Sequence, residues 1–248
     1  MKVGVIVFPG SNCDRDALHA ARLAGAEAEP VWHEDHELHG ADVVVLPGGF
    51  AYGDYLRAGV IARFSPVMGA VRDHASRGGL VLGICNGFQV LAEAGLLPGA
   101  LLRNRSLRFE HRWVRLGVER RDTPFTSSVP AGTTLRLPVA HGEGRFFLPD
   151  ADLDAVERRG GVVFRYLPPE GNPNGSARDV AGVIDERGTV CGLMPHPERA
   201  SEPLLGSADG MFLFRSLVES AVGAADEAVP GPSVVDGSRR DTMASVAS

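Results

Sequence analysis

Cys85 sits where an apolar run, Leu80-Val81-Leu82-Gly83-Ile84, meets Asn86-Gly87-Phe88-Gln89 and then a helix-like stretch. The pattern reads as strand, sharp turn, helix. A side chain on such a turn projects from the top of a sheet, as in the nucleophile elbow of α/β hydrolases. The positive end of the following helix favours an anion there. Gly83 and Gly87 are expected to permit the strained φ/ψ of the turn. A nucleophilic thiol needs a base, and the base needs an orienting group. His196 and Glu198 lie two residues apart in Pro195-His196-Pro197-Glu198-Arg199, just past another apolar run. In extended backbone such side chains point the same way. Glu198 would then hold the imidazole while its other nitrogen faces the thiol. Pro195 and Pro197 stiffen the stretch. Acyl transfer also needs oxyanion donors, and the amide N–H groups of Gly49 and Asn86 are suited to that role. A free cysteine is more often an inert buried residue, and a His-x-Glu pair more often a surface ion pair. It is the combination with the Pro47-Gly48-Gly49 turn that points to chemistry.

Other clusters carry less. His33 to His39 holds three histidines and three acids, but the spacing matches no recognised ligand pattern, so a solvated connection is expected and no metal. Asn104-Arg105-Ser106 and Asn174-Gly175-Ser176 match the glycosylation triplet by chance, since no secretion signal is read. Lys2 is the only lysine, and no Gly-x-x-x-x-Gly-Lys-Ser/Thr phosphate loop occurs. A net charge of −6 argues against nucleic-acid or anionic-membrane binding. The apolar run Val3 to Phe8 is too short for a signal or a membrane span. Three cysteines make no disulfide framework, so a reducing cytoplasm is expected.

The positioning elements follow from the apolar pattern. Lys2 to Phe8 and Ala41 to Leu46 read as strands buried on both faces. A helix is predicted over Asp14 to Leu23, capped by Ser11 or Asn12, and a second over Pro66 to Ser76. Glu29 to Trp32 reads as a short strand. After Ala100 the alternation is antiparallel in character, in Leu107 to Val118, Thr133 to Val139 and Gly161 to Tyr166. Leu153 to Arg158 reads as a short helix. Val180 to Ile184 and Thr189 to Met194 read as a hairpin, and Met211 to Val222 as the last helix. The expected fold is α/β: a mainly parallel doubly wound sheet with a nucleophile elbow, and antiparallel strands added in the second half. Residues 1–222 are expected to form one domain and 223–248 a flexible tail.

Gly83-x-Cys85-x-Gly87-x-Gln89, the Pro47-Gly48-Gly49 turn and the late His196-Pro197-Glu198 resemble the class I (triad-type) glutamine amidotransferases. Phe8 to Asp14, Leu46 to Arg57, Asn104 to Phe109, Ala140 to Gly144 and Met194 to Arg199 resemble the branch serving purine biosynthesis. The resemblance implies that the Cys85 thiolate attacks the glutamine amide, His196 passes a proton to the leaving ammonia, and Glu198 orients it. Gly49 and Asn86 would hold the oxyanion, while Gln89, His141, Gly142 and Glu143 would shape the glutamine pocket. No cofactor is expected on this chain. ATP and magnesium are expected on a separate synthetase subunit, joined by a small accessory subunit, which would convert formylglycinamide ribonucleotide to its amidine. The alternative is a glutaminase feeding another ATP-dependent synthetase; the flanking loops argue against it. Related cysteine-elbow peptidase- and chaperone-like proteins place histidine directly after the cysteine, where this chain has Asn86. The intact Cys85, His196 and Glu198 argue against a non-enzymatic module on the same fold. His111 stands where relatives often carry cysteine, outside the triad.

Overall fold

The computed structural model describes residues 1–227. The first half forms β1 (Lys2–Val7), α1 (Asp14–Leu23), β2 (Glu27–Trp32), β3 (Val43–Leu46), α2 (Val67–Ser76), β4 (Leu80–Ile84) and α3 (Asn86–Glu93). The second half adds β5 (Ala100–Leu102), β6 (Glu110–Val118), β7 (Leu135–His141), β8 (Arg145–Phe147), α4 (Asp150–Arg158), β9 (Val162–Leu167), β10 (Val180–Ile184), β11 (Val190–Leu193) and α5 (Met211–Glu227).

One nine-stranded sheet runs in the order β2-β1-β3-β4-β11-β10-β9-β6-β7, and β5 pairs with β8 apart from it. From β2 to β11 the pairings are parallel. From β10 outward they are antiparallel. Burial explains the division. Every residue of β3, β10 and β11 is buried, as in strands covered on both faces. Each fully buried Val, Leu or Ile there contributes about 1.5–3 kcal/mol relative to exposure. β7 instead alternates buried with partly or fully exposed residues, as a strand with one solvated face does. Pro30 is accommodated because β2 is the sheet's edge strand and pairs with β1 alone.

Three local expectations change. The cap of α1 is Cys13, without a side-chain hydrogen bond. The Ser11 hydroxyl instead accepts the Phe8 N–H at 3.2 Å, and Asn12 accepts from the Cys13 thiol at 3.3 Å. α5 continues to Glu227, past the boundary expected at Val222, because its helical backbone does not stop at Gly223. The remainder of the expected tail, 228–248, lies outside the described residues. In the His33 to His39 segment, His39 pairs with Asp35 at 2.9 Å in partly exposed positions. Buried His33 meets the Tyr52 hydroxyl at 2.8 Å. Among the described residues no helix is long and apolar enough to cross a membrane.

Candidate active site

The sheet order, more than any local motif, assembles the site. β4 and β11 are parallel neighbours, with Ile84 opposite Leu193, and the Cys85 N–H donates to the Leu193 carbonyl at 2.8 Å. Cys85 and the segment entering His196 therefore leave adjacent strands at one level. Such crevices beyond strand C-termini are where ligands bind in open α/β sheets. Cys85 itself carries the strain of the turn, at φ 49° and ψ −104°, a conformation costing a non-glycine residue about 1–3 kcal/mol. This corrects the role expected of Gly83 and Gly87, neither of which has positive φ. They are needed for close packing. A Cβ on Gly87 would run into the Leu46 carbonyl of β3, and one on Gly83 into the Gly87 backbone at 2.8 Å.

His196 Nδ1 lies 2.6 Å from Glu198 Oε1, with side-chain exposures of 2% and 0%. The pairing is not that of an extended strand, as expected. His196 is extended (φ −103°, ψ 92°), but Glu198 belongs to a 3-10 turn over Pro197–Ala200. The turn folds the carboxylate back onto the ring, and the His196 N–H anchors to the Pro138 carbonyl of β7 at 2.8 Å. Burial opposes charge on the ring, yet Glu198 and then Cys85 hold its pKa well above the ordinary value. No hydrogen bond of good geometry reaches His196 Nε2. Both Cys85 and Cys13 nevertheless lie within interaction range of the ring. Such contacts are commonly loose before substrate binds.

The Gly48-Gly49 turn is required by what surrounds it. A Cβ at Gly48 would fall 2.7 Å from His196 Cε1 and 3.0 Å from Cys13 Sγ. Gly49 has φ 145°, and a Cβ there would meet Asn12 N and Ser11 Cα at 2.8 Å. Among the described residues, neither the Gly49 nor the Asn86 amide N–H donates to a backbone acceptor outside regular elements.

Gly49, Cys85, Gln89, His141, Gly142 and Glu143 line one cavity of about 170 Å³. The Gln89 amide is committed at both ends, donating to the Glu143 carbonyl at 2.7 Å and accepting from Asn86 Nδ2 at 2.8 Å. It braces the wall. Burial and then the charge of His196 push the His141 pKa down to about 3, so that ring stays neutral.

Three residues absent from the expected site are at it. Asp54 lines the cavity. Burial and then Glu143 raise its carboxyl to about 6, against a hydrogen bond from Asn86. Its signal was one acid inside an otherwise aromatic and glycine-containing loop. Cys13 lies beside His196, and Arg199 Nη2 donates to its sulfur at 2.9 Å. Burial raises the Cys13 thiol pKa, although His196 works against the rise. Cys13, His196 and Glu198 are close enough to ligate an ion, within 4.8 Å of one another. The Arg199 guanidinium at the sulfur opposes a cation there.

A profile of the CobB/CobQ-like glutamine amidotransferase domain matches residues 1–209. The chain is 61% identical over 221 residues to phosphoribosylformylglycinamidine synthase subunit PurQ of Rubrobacter xylanophilus, covering 89% of this chain and 99% of that one. It is 58% identical over 229 residues to the subunit of the same name from Gloeobacter violaceus, covering 90% and 99%. The structure of PurLQS from Thermotoga maritima holds a similar chain, with 46% identity and a TM-score of 0.80 over 88% of this chain and 98% of that one. With a matching profile over most of its length and near full-length relatives of this identity, the chain belongs to the CobB/CobQ-like glutamine amidotransferase family.

Proposed function

We propose that this chain is the glutaminase subunit of a phosphoribosylformylglycinamidine synthase, with Cys85, His196 and Glu198 as its catalytic groups. The chain hydrolyses glutamine to glutamate and supplies ammonia to a synthetase subunit. The near full-length identity to PurQ subunits supports the assignment. The observation that carries the mechanism is the buried 2.6 Å His196–Glu198 pair behind an elbow cysteine that lines a cavity.

In the proposed reaction His196 takes the Cys85 thiol proton as the sulfur attacks the glutamine carboxamide carbon. The oxyanion forms between the Gly49 and Asn86 N–H groups, which need no reorganisation to receive it. As the C–N bond breaks, His196 gives the departing nitrogen a proton, and Glu198 stabilises and orients the ring. Water then attacks the thioester carbon while His196 takes its proton. The C–S bond breaks and the thiol is restored. ATP and magnesium belong to the partner's half of the reaction, where ammonia converts formylglycinamide ribonucleotide to the amidine. A small accessory subunit completes the cytoplasmic complex.

The test is synthesis by the reconstituted complex with two nitrogen sources. Cys85→Ala is expected to abolish glutamine-dependent synthesis and leave ammonia-dependent synthesis intact. Retention of glutamine use by that variant sinks the mechanism.

A further inference from the structure

A glutamine placed with its carboxamide at Cys85 must lay its amino-acid end a few bonds away within the same cavity. Asp54 and Glu143 both line that cavity. Asp54 receives a hydrogen bond on Oδ1, from Asn86 Nδ2 at 3.1 Å, and among the described residues none on Oδ2. No Arg, Lys or His side chain pairs with Asp54 among the described residues. The nearest guanidinium to Glu143, that of Arg103, is 78% exposed and 3.7 Å away. The position of Asp54 is enforced from the elbow. Asn86 directs its Nδ2 to Asp54, and its Oδ1 accepts the Ala51 N–H at 3.0 Å. The residue after the nucleophile is thus tied at both ends of its amide to this loop. The loop also holds Tyr52, Asp54 and Leu56 at φ 54°, 52° and 69°, strained positions of the kind that cluster at ligand clamps.

We propose that the Asp54 carboxylate, facing the same cavity as Glu143, receives the α-ammonium group of the substrate, and so selects an amino-acid amide over a simple carboxamide. The inference rests on the glutaminase reading above and adds a specificity-determining residue to it. Chemistry favours this occupant. Among the described residues Asp54 is an acceptor with no paired cation, Glu143 meets only an exposed guanidinium at 3.7 Å, and the substrate brings a cation. Burial and the charge of Glu143 hold the Asp54 carboxyl near 6, and a cation between the two relieves that repulsion.

The test compares wild-type complex with Asp54→Asn on three amides: L-glutamine, 5-amino-5-oxopentanoate (no α-ammonium) and 4-aminobutanamide (no α-carboxylate). Loss of a charge-assisted contact predicts that kcat/KM for glutamine falls about 10- to 150-fold in the variant, mostly through KM. Turnover of 5-amino-5-oxopentanoate should be nearly unchanged, so the preference for glutamine over it collapses. Asp54→Glu should restore part of that preference, and Glu143→Gln should weaken it in the same direction by a smaller factor. A structural role predicts equal loss on all three amides, which overturns the inference. So does a collapse confined to the preference over 4-aminobutanamide. Wild-type complex that releases no ammonia from glutamine overturns the glutaminase reading, and the inference with it. A thermal melt and co-elution with the synthetase subunit, both as in wild type, verify that each variant is folded.

Discussion

Cys85 and Cys13 are both buried and both lie within range of His196, yet their surroundings suit them to different tasks. Cys85 sits strained on the elbow and lines a cavity with Gly49. Cys13 precedes α1, donates to Asn12 at 3.3 Å, accepts from Arg199 at 2.9 Å, and lines a second cavity with His111 and Arg199. The Cys85 thiol donates to the Ala140 carbonyl at 3.7 Å and, among the described residues, lies beside two amide N–H groups without a backbone acceptor; the Cys13 sulfur both donates and accepts, the latter from a guanidinium. Proximity to a base does not make a nucleophile. Room for the acyl group and preorganised donors for its oxygen do.

The largest test exchanges the two thiols' fates. Cys85→Ser should lower glutamine-dependent kcat by roughly 10⁴-fold or more, the scale of losing a nucleophile, while Cys13→Ser should lower it less than about tenfold. The reverse ranking in a glutaminase assay would assign the chemistry to Cys13. Next, Glu198→Gln keeps the shape of the pair but removes the charge that raises His196, and kcat should fall about 10²- to 10⁴-fold. Because the folded His196 pKa is raised, the pair's stabilisation is full below the unfolded value near 6.5 and is lost as pH rises through the folded value. The Gln variant should lack that pH dependence in thermal melts, and NMR should show its imidazole titrating lower. Gly48→Ala drives a methyl toward His196 and Cys13 together, and displacement of the ring should reduce kcat about 10²-fold with little change in KM.

The smallest effect concerns the charge of Asp54. The folded Asp54 pKa is raised from 3.8 to about 6, so folding loses stability as pH rises between those values. Asp54→Asn should therefore raise Tm at pH 7.5 and leave it unchanged below pH 3.8. An equal rise at both pH values would place the effect in the loop's backbone and not in the charge.

Much of this architecture is legible along the chain. Val43–Leu46 and Val180–Ile184 are unbroken apolar runs, so their burial on both faces follows from composition. The elbow is legible because one thiol interrupts an apolar run just before a helix. The roles of Gly83 and Gly87 were not, since their reason is the approach of β3 and of the elbow's own backbone. Glu198 was placed near His196 by spacing, but the 3-10 turn that brings it there depends on packing around Pro197. Asp54 and Cys13 look like ordinary loop residues until distant segments close over them.

The sequence alone determined which side chains were available to react and which segments had to be buried, because side-chain chemistry and hydrophobic periodicity are properties of neighbours along the chain. Only the tertiary structure decided that β11 lies beside β4, that two thiols lie within range of one histidine, and that an acid from the loop after β3 lines the cavity beside Cys85. A strand's apolar pattern states that it needs neighbours but not which ones, and convergence at Cys85 depends on that choice.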